Sequence, residues 1–130
     1  MNAPSLSGRR VLIVEDEALV AMMLNDVLTS AGCAVIGPAV STTEALALVE
    51  RETIHCAVID VKLTDGMSRP VAAALCARGI PFIVTTGYDE EHLEGFDGAP
   101  ILQKAYIPDE VITAVAGILS AKSTIEDDGG

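Results

Sequence analysis

Five short apolar runs punctuate the chain, each bounded by turn-forming or charged residues. They are Val11-Leu12-Ile13-Val14, Cys33-Ala34-Val35-Ile36, Cys56-Ala57-Val58-Ile59, Phe82-Ile83-Val84-Thr85 and Ile101-Leu102-Gln103. Their hydrophobicity is continuous rather than alternating, as in strands covered on both faces. Between the runs, apolar residues recur at the helical interval. Ala18, Leu19, Met22, Met23, Val27 and Leu28 form one such series, which Asp16 is placed to cap and Gly32 to end. Gly37-Pro38 should close the second strand. Ser41-Thr42-Thr43-Glu44 reads as a capping box for a second helix with Ala45, Leu48 and Val49 inward. Pro70 suits the first turn of a third helix over residues 71–78, since its missing N–H is no loss there, and Gly79 ends it. Residues 89–98 are acidic and interrupted by Gly95 and Gly98, so any helix there should be short or distorted. Pro108-Asp109-Glu110 opens the last helix, with Val111, Ile112, Val115, Ile118 and Leu119 on its apolar face.

Strand and helix patterns thus alternate five times. This predicts an α/β fold: a flavodoxin-like (βα)5 three-layer sandwich, with a five-stranded parallel sheet and helices on both faces. A length of 130 residues allows one domain with a core. Residues 1–8 read as a flexible leader, 9–122 as the domain and 123–130 as a disordered acidic tail. Aromatic residues make up only 3% and Trp is absent, so Val, Ile, Leu and Ala must build the core. The formal charge of −11 disfavours nucleic-acid phosphates and anionic membranes as partners. No apolar run approaches the roughly 20 residues of a membrane-spanning helix, and the first residues carry no secretory pattern. A cytoplasmic protein is expected. Cys33, Cys56 and Cys76 show no paired spacing and read as buried, reduced thiols.

The chemistry lies where the runs stop. In a parallel α/β sheet the C-terminal strand ends form the ligand-binding edge. The first run leads into Glu15 and Asp16, the third into Asp60, the fourth into Thr86 and the fifth into Lys104. Crowded carboxylates repel one another unless a cation joins them. Glu15, Asp16 and Asp60, helped by the backbone carbonyl of Lys62, suit Mg²⁺, or Mn²⁺ in its place. A carboxylate can also act as the nucleophile in phosphoryl transfer, with the Lys104 ammonium and the Thr86 hydroxyl stabilising the transferred charge. Any one of these residues alone would read as a cap, a turn or a surface charge. Four strand ends each carrying a suitable group outweigh that. His55 and His92 lack any ligand-like spacing and read as structural.

Glu15-Asp16, Asp60, Asp65-Gly66, Thr86-Gly87 and Lys104, in that order and at those intervals, resemble the receiver domain of bacterial two-component response regulators over residues 9–122. The resemblance implies that Asp60 is phosphorylated by a histidine kinase or a histidine phosphotransfer protein, and that the acidic set holds Mg²⁺. It further implies that Thr86 and Lys104 contact the phosphoryl group. Asp60-Val61-Lys62-Leu63, Pro70-Val71-Ala72, Arg78-Gly79-Ile80-Pro81-Phe82 and Thr86-Gly87-Tyr88 look like a group of single-domain receivers common in alphaproteobacteria. A stand-alone phosphoacceptor follows, monomeric or weakly dimeric, that signals through a downstream protein and is not an enzyme. Two features depart from the pattern. The usual Lys-Pro is Lys104-Ala105, which removes the residue that favours a cis peptide. The aromatic switch residue is replaced by Ile101, leaving Tyr88 and Tyr106 as switch candidates. A phosphorylation-independent interaction module or phosphate sink is the alternative. A small-molecule phosphatase of the Asp-x-Asp type is disfavoured, because Lys62 occupies the place of the second acid.

Overall fold

The apolar runs do form strands. A computed structural model of the chain describes residues 6–87, 95, 96 and 98–129, with side chains as far as Ser120. In chain order these residues form β1 (Arg10–Val14), α1 (Ala18–Ser30), β2 (Ala34–Ala39), α2 (Thr42–Arg51) and β3 (Cys56–Asp60). There follow β4 (Lys62–Leu63), β5 (Gly66–Met67), α3 (Arg69–Ala77), β6 (Phe82–Thr86), β7 (Ile101–Gln103) and α4 (Pro108–Gly129). Five of the strands build one parallel sheet in the order β2-β1-β3-β6-β7. This is the expected flavodoxin-like arrangement. β4 and β5 form a separate small antiparallel hairpin.

Every residue of β3 and β6 is buried, as continuous hydrophobicity requires. Successive side chains of these strands enter opposite faces and divide the core in two. Ala57, Ile59, Phe82 and Val84 pack with Ala45 and Val49 of α2 and with Val71, Ala72 and Leu75 of α3. Cys56, Val58 and Ile83 pack with Leu24 and Leu28 of α1 and with Val111, Val115, Ile118 and Leu119 of α4. Glycine ends two helices in the same way. Cys33 N–H bonds Leu28 O and Gly32 N–H bonds Thr29 O, a Schellman motif that Ile80 and Gly79 repeat at the end of α3.

Several expectations need correction. β2 does not stop at Gly37-Pro38 but runs through it. Its register to β1 shifts there, pairing Leu12 with Ile36 and Val14 with Ala39, so two residues stand opposite Ile13. An edge strand tolerates proline at such a bulge. The Gly37-Pro38 and Lys104-Ala105 peptides are both cis, the second without a proline. Glu17, not Asp16, is the N-cap of α1. Leu19 and Met22 in α1 are exposed, while Ala21, Leu24 and Leu28 face the core. Nearly every residue from 18 to 24 is apolar, so spacing alone cannot choose the buried face. Leu6, placed in the leader, is buried in the second core cluster, and Gly8 N–H bonds Gly32 O beside it. α4 continues to Gly129, past Lys122; no proline or glycine interrupts residues 118–128. Cys33 and Cys56 are buried as expected, but Cys76 is exposed. Tyr88, His92 and most of the acidic segment 89–98 lie outside the described residues. Phe96, which is described, packs into the first core cluster.

Candidate functional site

The register of the two central strands places the carboxylates. Val14 of β1 pairs with Ile59 of β3, so the residues that follow, Glu15 and Asp60, leave the same sheet edge side by side. Both are buried. Asp16 comes next, and one oxygen from each of the three carboxylates lies within 4.8 Å of the others. Lys104 arrives from the far side of the sheet. Its N–H extends the pairing of β6 and β7 by bonding Thr86 O at 2.7 Å. Its ammonium Nζ then reaches Asp60 Oδ2 at 3.0 Å and Glu15 Oε1 at 3.4 Å. The structure therefore brings together Glu15, Asp16, Asp60 and Lys104. Thr86 is buried at the end of β6, beside β3, and is not among the hydrogen-bond partners of Asp60. Lys62 stands next to the cluster, its N–H 3.5 Å from Asp60 Oδ1.

Charge and burial act against each other here. Burial raises the Glu15 carboxyl from its ordinary 4.5 to about 7, and the charge of Asp60 adds to the effect. The Glu17 N–H and the Lys104 charge oppose it. For Lys104, burial works to lower the pKa, but hydrogen bonds to Glu17 and Asp60 and the nearby carboxylate charges prevail and hold it above its usual value. Glu15 Oε1 is buried and makes no hydrogen bond. A buried carboxylate oxygen without a hydrogen bond, its ion-pair partner Lys104 3.4 Å away, inside a set of three hard oxygen donors fits a divalent cation such as Mg²⁺.

Sequence reasoning missed three residues around this cluster. Glu17 Oε1 lies 2.8 Å from Lys104 Nζ. Thr64, in the β4–β5 turn, donates its hydroxyl to Asp16 Oδ2 at 3.1 Å, giving Asp16 a role in place of the cap expected of it. Ser68 is fully buried and its hydroxyl serves the backbone carbonyls of Asp60 and Val61, which fixes the chain just after the carboxylate. Their only sequence signal was proximity to the acidic motif and to the Asp-Gly turn. Of the switch candidates, Tyr106 is buried with its hydroxyl unpartnered, and burial followed by the Glu15 charge pushes its pKa up to about 12. Ile101 is half exposed on β7.

Comparison with known proteins identifies this arrangement. The model of the response regulator receiver domain matches residues 11–116. The chain belongs to that family. It is 34% identical over 93 residues to the transcriptional regulatory protein PdtaR of Mycobacterium tuberculosis, covering 71% of this chain and 45% of that protein. Among solved structures, SdrG from Sphingomonas melonis Fr1 is 41% identical with a TM-score of 0.77, covering 92% of this chain and 99% of SdrG. The response regulator PhyR from Brucella abortus gives a TM-score of 0.83 at 30% identity, covering 94% of this chain and 52% of PhyR. The chain spans less than half the length of the curated relatives it matches. Membership makes the matched domain a phosphoacceptor signalling module. Receiver domains interact with histidine kinases and downstream targets, and the acidic triad is typical of their Mg²⁺ site. Among the described residues no helix is long and apolar enough to cross a membrane.

Proposed function

We propose that this chain is a stand-alone receiver that takes a phosphoryl group onto Asp60 and signals by a changed protein-binding surface. The donor is the phosphohistidine of a histidine kinase or of a histidine phosphotransfer protein. The observation that carries the reading is the Lys104 ammonium 3.0 Å from an Asp60 carboxylate that shares its site with two further acids. A carboxylate oxygen of Asp60 attacks phosphorus, the P–N bond to the donor imidazole breaks, and an aspartyl phosphate remains. Lys104 neutralises charge on the phosphoryl oxygens, and the Thr86 hydroxyl contacts one of them. Glu15, Asp16, Asp60 and the Lys62 carbonyl would hold Mg²⁺, which when bound offsets the repulsion between the acids and the phosphoryl group. Tyr106, buried and unpartnered at its hydroxyl beside this site, is the switch residue we favour. The net charge of −11 fits a cytoplasmic protein that works through protein partners, as a monomer or weak homodimer.

The test is phosphotransfer from a labelled phosphohistidine protein to wild type and to Asp60→Asn. Label should appear on wild type only and be released by hydroxylamine, which cleaves acyl phosphates. Equal labelling of both proteins would overturn the assignment of Asp60.

A further inference from the structure

Glu17 makes the shortest contact of the Lys104 ammonium. Its Oε1 lies 2.8 Å from Nζ, against 3.0 Å for Asp60 and 3.4 Å for Glu15. Burial falls outward along the same three contacts. The Glu15 side chain is fully buried and that of Asp60 nearly so, whereas that of Glu17 is 61% exposed. An ammonium has three N–H donors, and here three carboxylates face them. The backbone of Glu17 is fixed, since its N–H bonds Glu15 Oε2 and its carbonyl accepts the Ala21 N–H in the first turn of α1. Glu17 occupies the N-cap position, where a side chain commonly bonds the free helix amides. No such bond is made; the carboxylate is turned to Lys104 instead.

We propose that Glu17 is a positioning residue that holds Lys104 at the mouth of the site and competes with an incoming phosphoryl group for its ammonium. The proposal rests on the reading of Asp60 as phosphoacceptor. For Lys104 to meet a phosphoryl oxygen it must release one carboxylate. Glu17 is the partner to release, because water can solvate its exposed carboxylate while the two buried acids would be left uncompensated. A contact made in the resting state and given up in the transition state slows the step that gives it up. Glu17 therefore sets how readily the domain is phosphorylated, and it does so through reach rather than through charge alone.

The experiment is the initial rate of aspartyl phosphate formation from acetyl phosphate and Mg²⁺, followed by intact mass, for wild type, Glu17→Gln and Glu17→Asp. Removing one partly exposed charged contact should speed the reaction about three- to tenfold in Glu17→Gln. Glu17→Asp keeps the charge but is one methylene too short to hold the contact, so it should be accelerated to a similar degree. An Asp variant as slow as wild type would assign the effect to simple repulsion of the anionic donor and overturn the proposal. So would a Gln variant no faster than wild type. In either case a reactive wild type leaves the Asp60 reading standing, whereas an inert wild type defeats that reading itself. The exposure of Glu17 makes a folding defect in either variant unexpected, and matched thermal melts check it.

Discussion

Glu15 carries the tension of the site in one side chain. It is a buried acid beside another buried acid, and its carboxyl titrates near 7 instead of 4.5. Between those values the folded chain keeps a proton that the unfolded chain has lost, so stability must fall as pH rises through the interval. The contribution is complete below 4.5 and gone above 7. Without divalent metal, wild type should therefore lose on the order of 1–3 kcal/mol between pH 5 and 8 relative to Glu15→Gln, which cannot titrate. Denaturant titrations at several pH values measure this, and parallel pH profiles for the two proteins would contradict it. That Glu15, Asp16, Asp60 and Lys104 meet at one sheet edge was legible in sequence because apolar runs lead into them. Glu17 and Ser68 were not, because what matters in them is a contact made across the fold. Lys104 is 87 residues from Glu17 in the chain.

At the scale of elements, the β4–β5 hairpin ties the site to its surroundings. Lys62 N–H points toward Asp60, Thr64 bonds Asp16, and the Asp65 carboxylate accepts the first N–H groups of α2 at Thr42 and Thr43. Those amide bonds lower the pKa of Asp65. The same helix start shows how much a local motif reveals. Ser41 accepts from Glu44 N–H as a capping box requires, but Glu44 reaches back to Val40 N–H rather than to Ser41. The second strand was legible in place but not in length. Gly-Pro is a turn signal, and only the partner strand reveals a bulge. At Gly37 φ is +95°, and a Cβ would stand 2.7 Å from Ala39 N and 3.0 Å from Ile13 O. Gly37→Ala should cost about 1–3 kcal/mol in chemical denaturation, from left-handed backbone plus the clash. An unchanged midpoint would show that the bulge relaxes freely.

At the scale of the whole molecule, the sheet divides two cores of ordinary apolar residues, and the polar chemistry is confined to one edge. That division was readable from continuous hydrophobicity in the strands. The burial of individual residues was less so, since an apolar neighbourhood in sequence does not fix the face a helix turns inward. Cys76 on α3 is exposed, whereas Cys56 is enclosed in the second core, where burial first and then the nearby Cys33 push its thiol up to about 12. One thiol per chain should accordingly react with an aromatic disulfide reagent in the native protein, and all three after unfolding. Mapping the native label to Cys33 or Cys56 would contradict the packing described.

The central claim is that the strand-end acids and Lys104 make Asp60 a phosphoacceptor. Its most direct test is intact mass after incubation with acetyl phosphate, with and without Mg²⁺, on wild type, Asp60→Asn and Lys104→Ala. Wild type should gain one phosphoryl group only with Mg²⁺, Asp60→Asn none, and Lys104→Ala should be slower than wild type. A wild type that stays unmodified with Mg²⁺, or an Asp60→Asn protein modified as fast as wild type, would contradict the account.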